Sequence, residues 1–450
     1  MSDSENTTNN ALDGSKPATL HSGNGGHPVD TIPTHPMSSK AERQITARSA
    51  RSLRSTLPPD GSLPEHGAQH RAKQLSLFDC FKAIVFATKI NVLLVFIPIG
   101  FAAHYAHFSD TAVFILNFIA IIPLAKLLGF ATEEISLELG ENFGALLNAS
   151  FGNAVELILS IIALKEKKIA VVQASLLGSV LSNLLLVLGF CFVLGGLKFQ
   201  AQAFNQTAAQ TSASLLSLSC LSLLIPAAFH ATASGIDQSA NIKHLSYGTS
   251  IVLLIVYILY LIFQLKTHTH LYSNSENEEE SVLPLWLGVV LLLIITVLVA
   301  FCSEFLVSSI DGLSESWGIS EVFIGLILLP IVGNAAEHVT AVTVAMKNKM
   351  DLAIGVAIGS SMQIALFVTP LMVIIGWIIG EEMTLFFNTF ETCILFVSVL
   401  IVNYLIQDGE SNWLEGVMLL STYLIIAIAI FFYPVESAGS GTGAGVVTGH

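Results

Sequence analysis

Two short strings hold the ionisable side chains that are hardest to explain as surface residues: Gly152-Asn153-Ala154-Val155-Glu156 and Gly333-Asn334-Ala335-Ala336-Glu337. Each lies inside a long apolar run. An Asp at the centre of a membrane helix costs roughly 2.5–3.5 kcal/mol on insertion scales, and a Glu is comparable. A chain that bears this cost twice, with the same small-residue lead-in, uses both carboxylates. The strings are 181 residues apart. The same offset carries Gly178-Ser179 onto Gly359-Ser360 and Ser182 onto Gln363. Matched blocks at one offset mark an internal duplication, a recurrent design of secondary transporters.

The residue types point to one class of ligand. Side chains three apart share a helix face, so Asn153 goes with Glu156 and Asn334 with Glu337. Gly152 and Gly333 let a neighbouring helix approach, or let their own helix loosen and expose carbonyls. Pro330 removes one helix donor in the second copy. Ser179, Ser182, Ser360 and Gln363 add oxygens from the helices that follow. Two carboxylates, amide oxygens and hydroxyls form an all-oxygen set, which suits a hard divalent cation; calcium takes six to eight such ligands. His/Cys sets that attract softer metals are missing from these strings. His338 has no counterpart, since position 157 is Leu, and reads as packing. A weaker second match pairs Thr132-Glu133 with Ser303-Glu304 at an offset of 171. Carboxyl groups in the membrane that do not hold the ion are natural proton carriers. Glu134, Asp311, Glu381, Glu382 and Glu391 lie at span ends and read as interfacial.

The elements that position these groups must cross a bilayer. The chain has 450 residues, 53% hydrophobic and only 12% charged, where soluble domains have about 25% charged. Net charge is −14, but it is segregated: ten of the 19 Lys and Arg precede residue 90. The five cysteines, Cys80, Cys191, Cys220, Cys302 and Cys393, are scattered and read as buried hydrophobes. Residues 1–75 are rich in Ser, Thr, Asn, Gly, Pro and His and lack periodicity, which predicts a disordered tail. No apolar core lies near its start, so no cleavable signal peptide is expected.

Eleven candidate spans follow, near 88–105, 111–131, 144–164, 169–195, 209–230, 245–265, 283–308, 320–346, 351–378, 383–405 and 413–433. Glu156 falls in span 3 and Glu337 in span 8. Five steps separate them, so the copies run in opposite senses. The fold expected is an all-α polytopic membrane protein: one extra helix in 76–110, repeat one in 111–265 (spans 2–6), an acidic linker in 266–282, repeat two in 283–433 (spans 7–11) and a short tail in 434–450. The distribution of Lys and Arg in the loops puts the N-terminus in the cytosol, and eleven spans put the C-terminus on the far side. The Lys165–Lys168 cluster breaks that charge rule, and the inverted repeat accounts for it, because its partner loop Lys347–Lys349 must face the other way. The linker run Glu276, Glu278, Glu279 and Glu280 is either a solvated segment or a patch that draws cations to the cytosolic mouth.

The stretches Asn148-Ala149-Ser150-Phe151-Gly152-Asn153-Ala154-Val155-Glu156 and Gly333-Asn334-Ala335-Ala336-Glu337-His338 resemble the two signature repeats of the calcium/cation–proton exchangers. Lys347-Asn348-Lys349-Met350-Asp351-Leu352-Ala353 and Gly359-Ser360-Ser361-Met362-Gln363-Ile364 are similar to that family as well. The resemblance covers about residues 80–433 and is strongest to fungal vacuolar calcium/proton exchangers. It implies ten core helices in two inverted halves, and calcium import into an acidic vacuole driven by proton exit. It makes Glu156 and Glu337 the ion-binding carboxylates and links Glu133 and Glu304 to proton coupling. Residues 1–75 fall outside it.

The expectation is a calcium/proton antiporter with alternating access, embedded in the vacuolar membrane, with no cofactor, no enzymatic activity and no nucleic-acid partner. Calcium is the expected cargo, and the same oxygen set admits divalents such as manganese. The alternatives are a sodium/calcium exchanger of the same superfamily and a passive divalent-cation channel. The GNAxE form, without strong extra acids in the repeats, favours protons over sodium. A channel would more plausibly use a ring of ligands from several subunits.

Overall fold

In the computed structural model, residues 84, 88–232, 238–269 and 281–433 are described, and all belong to one compact unit. The N-terminal tail 1–75, the Glu276–Glu280 run and the tail 434–450 lie outside the described residues. The chain is mostly helical. Seven helices of 19 to 30 residues are long and apolar enough to cross a membrane: α2 (Asp110–Leu139), α5 (Ile169–Gly196), α6 (Gln206–Thr232), α7 (Ala240–Thr267), α8 (Leu285–Ser308), α12 (Met350–Ile379) and α14 (Trp413–Phe431). Two shorter apolar helices, α1 (Lys89–Tyr105) and α13 (Thr389–Leu405), accompany them.

The stretches read from sequence as spans 3 and 8 are each broken. The first is α3 (Glu141–Phe151) followed by α4 (Ala154–Lys165). The second is α10 (Glu321–Gly333) followed by α11 (Ala335–Ala345), with the short α9 (Ile310–Trp317) bent 116° from α10. The breaks are at Asn153 and Asn334, 181 residues apart. The same offset recurs elsewhere in the backbone. Lys167 and Asn348, at the same offset, both have left-handed φ, 60° and 61°. The π turn Ser182–Val187 in α5 is matched by Ile364–Val368 in α12. A further π turn, Ile324–Leu328, precedes Pro330, whose missing amide leaves a helix bond unmade.

Contacts between connecting segments sort the helix ends onto two rims. On the first rim, Lys168 pairs with Asp311, Lys167 Nζ lies 3.8 Å from Glu381, and Lys243 Nζ lies 2.8 Å from Glu382. The Lys243 hydrogen bond holds the Glu382 carboxyl below its ordinary value. The Thr111 and Ser316 hydroxyls meet there at 3.1 Å, and the Phe390 and Tyr433 rings stack at 4.7 Å. On the second rim, Gln202 Nε2 donates to Ala345 O at 2.9 Å and to Asn348 Oδ1 at 3.0 Å. The two-residue strands β1 (Gln202–Ala203) and β2 (Glu410–Ser411) pair there antiparallel. Helix α2 ends on this rim, beyond the limit read from sequence, so Glu134 is buried within it. Its carboxylate accepts the Val282 and Leu283 amides at 2.7 and 2.8 Å and fixes the entry to α8.

Close helix approach in the centre depends on missing side chains. A Cβ on Gly178 of α5 would stand 2.1 Å from the Leu326 carbonyl of α10. One on Gly325 would stand 2.9 Å from the Ala174 methyl. The two backbones therefore almost touch, and the broken segment α10–α11 is held against α5 beside the two glutamates.

Candidate functional site

An apolar run that contains Gly-Asn has no hydropathy signal for a break, yet both copies break there. Asn153 (φ −105°, ψ 28°) and Asn334 (φ −87°, ψ 8°) have left the helical region at ψ, and each begins a new helix. Glu156 and Glu337 then fall in the first turns of α4 and α11. Helix N-termini carry partial positive charge and unpaired amides, and so favour a carboxylate. Broken helices that aim their half-helix ends at an ion near the midplane are a known transporter device.

The side chains converge from both halves. Ser360 Oγ of α12 donates to Glu337 Oε1 at 2.7 Å. Asn183 Nδ2 of α5 donates to Glu337 Oε2 at 3.3 Å. Glu156 is buried and its Oε1 lies against Gly333, where a Cβ would come within 2.8 Å. Asn153 Nδ2 donates to Gln363 Oε1 at 2.7 Å, joining the first break to the second half. The Oδ1 atoms of Asn153, Asn183 and Asn334 are buried and accept no hydrogen bond. Three orphaned carbonyl oxygens beside two carboxylates suit a hard cation, which supplies positive charge to every one of them. Among the described residues no cluster of three or more His, Cys, Asp and Glu side chains could hold a metal. The acids here are therefore a pair supplemented by amides.

A cavity of about 800 Å³ reaches this centre from the second rim. Its inner wall includes Gly152, Gly333, Glu337, Ser360 and Gln363, and its outer wall Asn205, Leu265 and Asp351. Beyond Glu156, toward the first rim, lies a void of about 10 Å³ between Ser160, Ser179 and Gly333. The centre is open to the second rim through this cavity.

The residues singled out from sequence are thus brought together with one exception on the described helices. Glu156, Glu337, Asn153, Asn334, Gly152, Gly333, Ser360 and Gln363 meet at the centre. Ser179 lines the small void beside Glu156. Glu133 lines the cavity, whereas Glu304 is exposed on α8 and off the cavity. Asn183 was not visible in the pattern, because its repeat position is Ile364. Ser182 and His338 Nε2 share a hydrogen bond of 3.1 Å between the halves.

The sodium/calcium exchanger protein family model matches residues 109–266 and 287–432. The vacuolar calcium ion transporter of Schizosaccharomyces pombe is 50% identical over 379 residues, 83% of this chain and 92% of that protein. The Ca(2+)/H(+) antiporter of Aphanothece halophytica is 49% identical over 359 residues, 76% of this chain and 96% of that protein. The crystal structure of the Ca2+/H+ antiporter protein YfkE superposes with a TM-score of 0.66 at 37% identity, covering 76% of this chain and 99% of that one.

Gly333→Ala tests the contact between the halves. The carboxylate of Glu156 ends a flexible side chain and moves before the helices do. The variant is expected to insert normally and to bind calcium about tenfold more weakly, a loss of about 1.4 kcal/mol, in titrations of the purified protein. Unchanged affinity would mean that the Glu156 carboxylate does not act where it lies.

Proposed function

The chain belongs to the sodium/calcium exchanger protein family, and from that premise we propose how it works as a calcium/proton antiporter. It is a transporter and not an enzyme, and its ions are substrates. The observation that carries the reading is the pair of glutamates at matched helix breaks, Glu156 buried and Glu337 half-buried in the cavity wall, brought to one centre from the two halves. Its relatives of 49–50% identity are a vacuolar calcium transporter and a Ca(2+)/H(+) antiporter. The membrane it serves is that of an acidic vacuole.

Glu156 and Glu337 hold calcium, with Asn153, Asn334, the freed backbone carbonyls near Gly152 and Gly333, Ser179, Ser360 and Gln363 completing the oxygen shell. Asn183 supports Glu337. With both carboxylates ionised and no ion bound, the centre resists closure, because unpaired charge is costly away from water. Calcium removes that cost, and so do protons. The loaded forms cross and the empty charged form does not, which obliges exchange. Glu133, in the cavity wall, passes protons toward the mouth, and Glu304, near the first-rim end of α8, takes part in proton coupling on that side. Manganese fits the same oxygens.

The layout is eleven spans: α1, then two inverted sets of five. Segment contacts support it, since helix ends alternate between the two rims along the whole described chain. Helix α1 begins at the second rim, where the cavity opens, and α14 ends at the first. With the N-terminus cytosolic, the cavity faces the cytosol and the first rim faces the lumen. The acidic run Glu276, Glu278, Glu279 and Glu280 then sits in a cytosolic linker and raises local calcium at the entrance.

Glu156→Gln and Glu337→Gln are each expected to insert and to lose proton-driven calcium uptake by at least about a hundredfold, since a neutral amide cannot replace a buried anionic ligand. Near-normal uptake by either would sink the two-carboxylate centre. The layout is tested separately with single cysteines in place of Glu166 and Asn348 in a cysteine-free background. In sealed vesicles with the cytosolic face outward, an impermeant thiol reagent should label only the second. Labelling of both from that face would mean parallel copies.

A further inference from the structure

The centre of α2 holds a lysine that the exchange mechanism leaves unused. Lys126 lies sixteen residues from the start of α2 and thirteen from its end, about 24 and 20 Å along the helix. An ammonium at that depth needs water or a partner. Both are at hand: Lys126 lines the cavity, and its Nζ donates to Thr340 Oγ1 at 3.1 Å. The Thr340 hydroxyl itself donates to the Ala336 carbonyl at 2.9 Å, which leaves its oxygen to accept. Thr340 is three residues after Glu337 on α11 and shares its face, with Cβ atoms about 5–6 Å apart. Helix α11 runs from the break toward the second rim, so the ammonium sits one turn outside Glu337 on the way to the mouth. The other charged residues in the cavity wall, Glu133, Glu337 and Asp351, are acids. At the 171 offset that relates Glu133 to Glu304, the counterpart of Lys126 is Val297. The charge therefore acts on one of the two access routes.

We propose that Lys126 is an affinity-setting residue for the transported cation: its ammonium opposes a divalent ion at Glu337 from the cavity side and keeps binding there weak enough for the ion to leave again. The inference rests on the two-glutamate site proposed above. Two positive charges and one, about a helical turn or two apart in a wet cavity, repel enough to change affinity by about an order of magnitude. The role needs charge, which separates it from packing and from the hydrogen bond to Thr340.

Calcium titration of the purified full-length protein tests it. Lys126→Met and Lys126→Gln should both tighten the apparent Kd by about tenfold, although only Gln keeps a donor for Thr340. Lys126→Arg, which keeps the charge, should stay within about twofold of the parent protein. A tightening is a change that simple damage to the fold does not produce. Unchanged or weaker binding in both neutral variants, with Glu337→Gln failing to bind, would overturn the role of Lys126 alone. So would an effect of Met without an effect of Gln, which would assign it to the hydrogen bond. Normal calcium binding by Glu337→Gln would remove the two-carboxylate site, and this inference with it.

Discussion

A carboxylate far from water must meet a cation, a proton or a set of donors, because the alternative costs several kcal/mol. The centre of this protein is arranged around Glu156, which is buried, and Glu337, which is half-buried at the inner end of the cavity. The helix breaks at Asn153 and Asn334 place each glutamate at a helix N-terminus. Ser360 and Asn183 donate to Glu337, and the missing side chain of Gly333 lets Glu156 approach the second half. These features lower the cost without removing it, and three amide oxygens remain without donors. On the proposed reading, this residual cost is what a divalent ion relieves and what resists crossing of the empty charged form, so binding and coupling have one origin.

The duplication supplies the framework and small departures from it supply direction. Breaks, left-handed residues and π turns recur at or near one offset. The chemistry on that framework is not symmetric. Gln363 accepts from Asn153, while its counterpart Ser182 bonds His338 instead. Ser360 bonds Glu337, while Ser179 lies beside the small void under Glu156. The ion pairs Lys167–Glu381, Lys168–Asp311 and Lys243–Glu382 lie on the first rim and join one half to the other. Exposed pairs are individually worth about 0–1 kcal/mol, which suits contacts that must break and re-form in each cycle.

The strings that hold Glu156 and Glu337 were legible in the sequence because cost and repetition both mark them. Most of the long helices were legible from hydropathy alone. The breaks were legible only as one of two readings of Gly152 and Gly333, a loosened helix or a close helix approach, because hydropathy does not separate a Gly-Asn step from a continuous helix. Glu134 looked interfacial because α2 was expected to end near residue 131, whereas it continues and the carboxylate caps the amides of the following half. Asn183 was hidden because duplication was the guide and its partner position is Ile364. The Lys165–Lys168 cluster looked like an exception to charge bias; in the fold, Lys167 and Lys168 meet Glu381 and Asp311, so part of the excess charge is neutralised locally. Of the weaker pair, Glu304 looked the harder to dismiss because it lies deeper in its apolar run, yet Glu133 is the one that lines the cavity, because depth in a run carries no information about which face of α8 is turned inward.

Obligatory exchange is the central claim, and it is tested most directly by labelled calcium uptake into sealed vesicles that carry only this protein and an imposed proton gradient, acidic inside. Calcium is expected to accumulate against its own gradient, and a protonophore should abolish the accumulation whether or not the membrane potential is clamped. Uptake that merely equilibrates calcium, at a rate indifferent to the protonophore, would contradict exchange and make the two-glutamate centre part of a passive pathway.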